Sequence, residues 1–122
     1  MVKDIIIVGI GSGIGGICRY LISSFMRQTS NGFPWGTFVV NVAGCLLIGI
    51  LWGVMSRFQN LSPSFSLSLM VGFCGGFTTF STFSKEGLAL LQANNFTLLA
   101  LYTIGSVVLG VTAVALGYYT TK

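Results

Sequence analysis

Few side chains in this sequence can act chemically, and their spacing is regular. Thr37 and Asn41 stand four apart, as do Tyr102 and Ser106. Phe80 and Phe83 stand three apart, interleaved with Ser81, Thr82 and Ser84. Helical spacing puts each pair on one face. An amide offers two N–H donors, hydroxyls offer one each, and aromatic ring edges carry partial positive charge. That set suits the noncovalent handling of an anion. Arg19 adds a fixed positive charge suited to an anion entrance, or else an anchor snorkelling to the membrane surface. Glu86 follows the Phe–hydroxyl run, beside Lys85. Ordinary roles remain open: an interhelical hydrogen bond for Asn41, and core or lipid contact for the Phe stripe.

Catalytic chemistry lacks its parts. The chain has no His, which removes imidazole bases, imidazole metal ligands and a histidine pH switch. Asp4 and Glu86 are the only acidic residues, at the chain start and deep in the sequence. No paired-carboxylate arrangement is available, and the sequence points away from an enzyme.

The elements that must position these residues are membrane helices. Of 122 residues, 53% are hydrophobic and 7% charged, where a soluble domain carries about 25% charged residues. Mean hydropathy is +0.89. Apolar runs of spanning length cover residues 4–26, 33–55, 64–91 and 96–119. Short polar connectors, 27–32, 56–63 and 92–95, carry the turn residues Asn31-Gly32, Pro63 and Asn94-Asn95. The expectation is an all-α membrane protein with four transmembrane helices, and residues 1–122 forming one domain. The first run is too long for a cleaved signal peptide and has no Ala-x-Ala-like site after it. The net charge of +4 comes from scattered single residues, so no nucleic-acid surface is expected. Cys18, Cys45 and Cys74 lie in apolar stretches without metal or redox spacing and read as small buried side chains.

Four spans put both termini on one side. Lys3, Arg57 and Lys122 lie toward that side, and Arg19, Arg27 and Lys85 toward the other. The positive-inside rule then gives no preferred orientation. The inference is dual topology, with two opposite copies pairing as an antiparallel homodimer; a single orientation with a weak signal is the alternative.

Gly11-Ser12-Gly13-Ile14-Gly15-Gly16 matches G-x-G-x-x-G literally, but no Asp or Glu lies between Asp4 and Glu86 to bind a ribose. The dinucleotide reading fails. Gly9/Gly13, Gly11/Gly15, Gly49/Gly53 and Gly72/Gly76 are each four apart, the spacing of close helix packing in lipid.

The third run is unlike an ordinary span. As one helix, 64–91 would be about 42 Å long at about 1.5 Å per residue, against a hydrocarbon core of about 30 Å. Gly75-Gly76 holds a helix poorly and Thr78-Thr79 is β-branched. A break is expected near 75–79. It would free backbone carbonyls inside the membrane, which a bound cation held by backbone oxygens would satisfy.

Three motifs now carry a resemblance: Gly16-Ile17-Cys18-Arg19-Tyr20, Gly36-Thr37-Phe38-Val39-Val40-Asn41-Val42-Ala43-Gly44, and Gly72-Phe73-Cys74-Gly75-Gly76-Phe77-Thr78-Thr79-Phe80-Ser81-Thr82-Phe83. The chain resembles the Fluc, or CrcB, family of bacterial fluoride channels over essentially its whole length. The resemblance implies a dual-topology homodimer in the bacterial inner membrane, with two antiparallel fluoride pores. It implies a structural Na⁺ held by carbonyls of Gly75 and Thr78 of both subunits. Phe80, Phe83 and Asn41 match pore residues, and Arg19 matches a vestibule arginine. Thr37, Ser81, Thr82, Glu86, Tyr102 and Ser106 are expected along a polar track, which Gly110 would continue without a hydroxyl. The readings that compete with a fluoride channel are a proton-coupled small multidrug exporter and a non-transporting scaffold subunit. The exporter needs an ionisable carboxylate within its first helix, where this chain has only Asp4 at the edge.

Overall fold

The structure, a computed structural model, describes residues 1–26, 32–58, 60 and 62–122. Every regular element among them is helical: α1 (Val2–Phe25), α2 (Trp35–Arg57), α3 (Pro63–Leu67), a π-helical stretch (Ser68–Cys74), α4 (Gly75–Phe77), α5 (Phe80–Gln92) and α6 (Phe96–Thr121). Four helices are long and apolar enough to cross a membrane; the third runs Pro63–Gln92 and includes everything from α3 to α5. The expected spans are met to within two residues at each described end. Arg27 and the Asn31 half of the first connector lie outside the described residues, as do Gln59 and Leu61 of the second.

Local chemistry explains where the helices start. Ser62 caps α3, its hydroxyl accepting from Phe65 N at 3.1 Å, and Pro63 follows at the first helical position. Asn95 caps α6 by accepting from Leu98 N at 3.3 Å. Asn94 turns the chain between α5 and α6 with φ 57°, a left-handed conformation that Asn tolerates.

The helices pair as α1 with the third span and α2 with α6. Both seams are built on glycine. A Cβ at Gly11 would sit 3.1 Å from Gly72 Cα, and one at Gly76 would sit 2.7 Å from Ser12 Cα. A Cβ at Gly117 would come within 2.6 Å of Ile50 N on α2. Backbones therefore touch where lipid supplies no hydrophobic drive for association. Gly9 and Gly13 behave otherwise: nothing lies within 4 Å of a Cβ at either, so this pair faces away from the rest of the chain.

The break in the third span falls at Thr78–Thr79, both extended, with φ/ψ of −85°/158° and −150°/124°. Gly75 and Gly76 stay helical, because α1 lies against Gly76 and needs it without a side chain. The π-helical stretch before them has no counterpart in the sequence expectations. It runs along α1, where Ser12 Oγ donates to Gly72 O at 3.3 Å. A small core sits at the start of α2, where Phe33, Leu90 and Tyr102 are buried with Phe38, Phe83, Leu98 and Leu99 around them. Most other apolar side chains face outward.

Candidate functional site

The break is held by residues from two other spans. Asn41 of α2 pairs with the Thr79 peptide on both sides of its amide. Its Nδ2 donates to Thr79 O at 3.0 Å, and its Oδ1 accepts from Thr79 N at 2.8 Å. An interhelical hydrogen bond is thus part of what Asn41 does. An amide nitrogen has two N–H donors, so one of Asn41's stays outside this pair, and Asn41 lines a cavity beside the break. Arg19 of α1 donates from Nε to Gly76 O at 3.2 Å, satisfying a carbonyl of the last turn before the break. Thr79 caps α5 with its hydroxyl, accepting from Thr82 N at 3.2 Å.

These bonds redirect the amides that would otherwise continue the helix ladder. Thr79 N goes to Asn41 and Thr82 N goes to the Thr79 hydroxyl, so the carbonyls of Gly75 and Thr78 lose their normal partners. Thr78 itself donates twice to Cys74 O, from N at 3.0 Å and Oγ1 at 2.9 Å. Free carbonyls at membrane depth are the donor set of a small hard cation. Gly75 and Thr78 both line the same cavity, so these residues fit the Na⁺ that the resemblance implies, with two oxygens from one chain.

That cavity holds about 420 Å³ between α2, α6 and the third span. It brings together Asn41, Gly75, Thr78, Phe80, Phe83 and Ser106 of the expected residues. The Phe80 and Phe83 rings stand 5.8 Å apart, tilted by 40°. Phe80 is 79% exposed at the rim, whereas Phe83 packs on Tyr102 at 4.9 Å. The Ser106 hydroxyl is buried with no hydrogen-bond partner among the described residues.

A second cavity of about 270 Å³ collects Arg19, Thr37, Thr82 and Glu86. Thr37 and Asn41, one turn apart on α2, therefore face different cavities. Tyr102 lies between, fully buried, and donates from its phenol to Glu86 Oε1 at 3.1 Å. Thr37 is itself buried on α2. Of the expected track, Asn41, Phe80, Phe83 and Ser106 thus line one cavity, Thr37, Thr82 and Glu86 line the other, and Tyr102 lines neither. Two expected members lie elsewhere in the chain. Ser81 is exposed, lines neither cavity, and has its Oγ 3.3 Å from Thr79 Oγ1. Gly110 is buried, and a Cβ there would meet Cys45 Sγ at 3.3 Å, so α6 backs onto α2 at that point.

Thr79 was missed as a site residue by sequence reasoning. Its signal was the Thr79-x-x-Thr82 spacing just before a helix start, which fits a cap. Gly44 was quoted within a motif but given no role; a Cβ there would collide with the Thr78 side chain.

Comparison with known proteins gives a consistent picture. Residues 6–118 match the model of the family described as CrcB-like protein, Camphor Resistance (CrcB). The chain is 46% identical over 118 residues to a fluoride-specific ion channel FluC of Phocaeicola vulgatus, covering 96% of this chain and 97% of that one. It is 44% identical to the FluC protein of Azobacteroides pseudotrichonymphae, covering 100% and 98%. With the FluC protein of Flavobacterium psychrophilum the identity is 41%, covering 98% of each.

Proposed function

The chain belongs to the CrcB-like family of multi-pass membrane proteins, and on that premise we propose that it is a passive fluoride channel rather than an enzyme. It would work in the bacterial inner membrane as an antiparallel, dual-topology homodimer with two pores. The observation that carries this reading is the cavity at the break. It combines a spare Asn41 N–H, an unpartnered Ser106 hydroxyl and two phenylalanine rings in one space at the helix interruption.

The chemistry suits fluoride. Fluoride is small and strongly hydrated, so it needs its water replaced piece by piece. Fixed N–H and O–H donors and ring edges supply favourable contacts with little reorganisation. Glu86 is engaged by Tyr102, which draws its carboxylate away from a passing anion. Arg19 presents positive charge to the second cavity while bracing the break. Larger halides meet the same donors in a passage too narrow for them, so chloride flux far below fluoride flux is expected.

Two antiparallel copies would bring the Gly75 and Thr78 carbonyls of both chains around one structural Na⁺. The ion would neutralise carbonyl dipoles at the break and would not be transported. The equal split of basic residues between the two sides supports insertion in both orientations. A negative interior drives an anion outward with about 2.3 kcal/mol per 100 mV. Neutral HF entering through lipid dissociates inside, so passive export suffices to lower cytoplasmic fluoride and its toxicity.

The test is fluoride efflux from proteoliposomes, followed with a fluoride electrode, with valinomycin carrying K⁺ to balance charge. Rapid efflux that Phe80→Ile abolishes supports the reading. Efflux no faster than from empty vesicles, from a folded protein, would return attention to a scaffold role. Proton-coupled uptake of a cationic dye would favour an exporter.

A further inference from the structure

We propose that the cavity beside the break also contains a soft-metal site, formed by the sulfurs of Cys45, Cys74 and Met70, that takes a monovalent ion such as Ag⁺ or Cu⁺. All three residues line the 420 Å³ space, and both cysteines are free thiols. The inference does not rest on the channel reading.

The backbone brings the sulfurs together. Met70 and Cys74 are four residues apart in the π-helical stretch and both look into the cavity. Cys45 lines the same cavity from α2, with its Sγ beside Gly110 of α6. Its neighbour Gly44 lies against the Thr78 side chain, and Thr78 is hydrogen-bonded to the Cys74 carbonyl at 2.9 Å. Cys45 is therefore held within about one to two helical turns of Cys74. The Met70 thioether accepts only a long contact from Ser66 Oγ, at 3.7 Å.

Ligand type and surroundings select the ion. Thiolate and thioether ligands favour soft metals, whereas the carbonyls of Gly75 and Thr78 in the same cavity favour hard ones. The lining is mostly apolar, so a loaded site with net charge is costly. One thiol gives its proton to solvent and its thiolate binds the ion, forming one S–metal bond. The second thiol and the thioether complete the set as neutral donors. The loaded site then carries no net charge, which a divalent ion with one thiolate would not achieve. No oxidation or reduction is involved.

The test uses Ag⁺ and the full chain with Cys18→Ser, in detergent and in sodium nitrate without chloride. Calorimetry should find one Ag⁺ per chain. Cys45→Ser and Cys74→Ser should each weaken binding by more than about 100-fold, since even outer-shell partners are worth roughly 10–100-fold. Met70→Leu should weaken it by about tenfold. Unchanged affinity in either cysteine variant would mean that each thiol binds silver alone, and the site would be refuted. Silver-edge X-ray absorption on the same Cys18→Ser protein gives a reading that no further variant can confound. Two or three sulfur neighbours support the site; a single sulfur, or oxygen and nitrogen neighbours, overturn it.

Discussion

Asn41→Ala removes both bonds that hold the Thr79 peptide, at 3.0 and 2.8 Å. Interhelical side-chain bonds in membrane bundles average about 0.6 kcal/mol, with a maximum near 1.7. A fully buried peptide group left unpaired costs about 1–3 kcal/mol. Thr79 is only half-buried beside an open cavity. Water can reach its freed groups, so the smaller figures govern, and two bonds give a loss of about 1–3 kcal/mol. The natural control is Thr78→Val. It deletes a hydroxyl bond to a carbonyl that already accepts Thr78 N at 3.0 Å, and so costs no more than about 0.6 kcal/mol. Asn41→Asp keeps the acceptor for Thr79 N, loses the donor, and brings an acid into an anion's path. Stability is read by reversible unfolding in mixed micelles with circular dichroism, and conduction by fluoride efflux. We expect both alanine and aspartate variants to stop efflux, with the alanine variant the less stable of the two. Asn41→Ala no less stable than Thr78→Val would refute the bracing argument, and undiminished efflux would remove Asn41 from the path.

Gly15→Ala places a Cβ 2.8 Å from Phe77 N and should cost at least about 1–3 kcal/mol. Gly13→Ala meets nothing within 4 Å and should leave thermal stability in detergent unchanged or higher. Tyr102→Phe deletes the donor to Glu86. It should lower stability by about 0.5–1.5 kcal/mol and slow efflux by freeing the Glu86 carboxylate beside the second cavity. Ser106→Ala removes a buried hydroxyl that has no partner. Thermal melting should therefore show no loss, while efflux falls if the hydroxyl serves the ion.

Much of this architecture was legible in the residues. Span ends follow from apolar run length and from Ser62, Pro63, Asn94 and Asn95, all of which act locally. An over-long third span announced a break, since about 30 Å of hydrocarbon cannot hold that length of helix upright. Its position was less legible. Gly75-Gly76 has low helix propensity, yet close packing on Ser12 keeps it helical, and the ladder fails at Thr78–Thr79 instead. Asn41 was visible as a polar residue needing a partner. That partner is the peptide of Thr79, 38 residues away, and no local pattern names it. The neighbours of Thr37 and Asn41 are likewise tertiary: the two share a helix face in sequence, but Thr37 lines a cavity with Glu86 and Asn41 lines one with Ser106.

The π-helical stretch Ser68–Cys74 gives the third span one place where a residue can be lost without a change of phase. Each residue of an α-helix turns the chain by about 100°, and a π turn absorbs surplus residues by widening. Deleting one residue there would let an ordinary helix form with everything beyond it still in phase, whereas deleting one from the α-helical turn that follows would rotate everything beyond it by about that angle. Gly72 and Gly76 could then no longer both meet α1, and Thr79 would swing away from Asn41. The stretch acts as a phase adjuster between two grooves cut by different helices. A single-residue deletion should therefore be better tolerated between 68 and 74 than in the α-helical turn at 75–77.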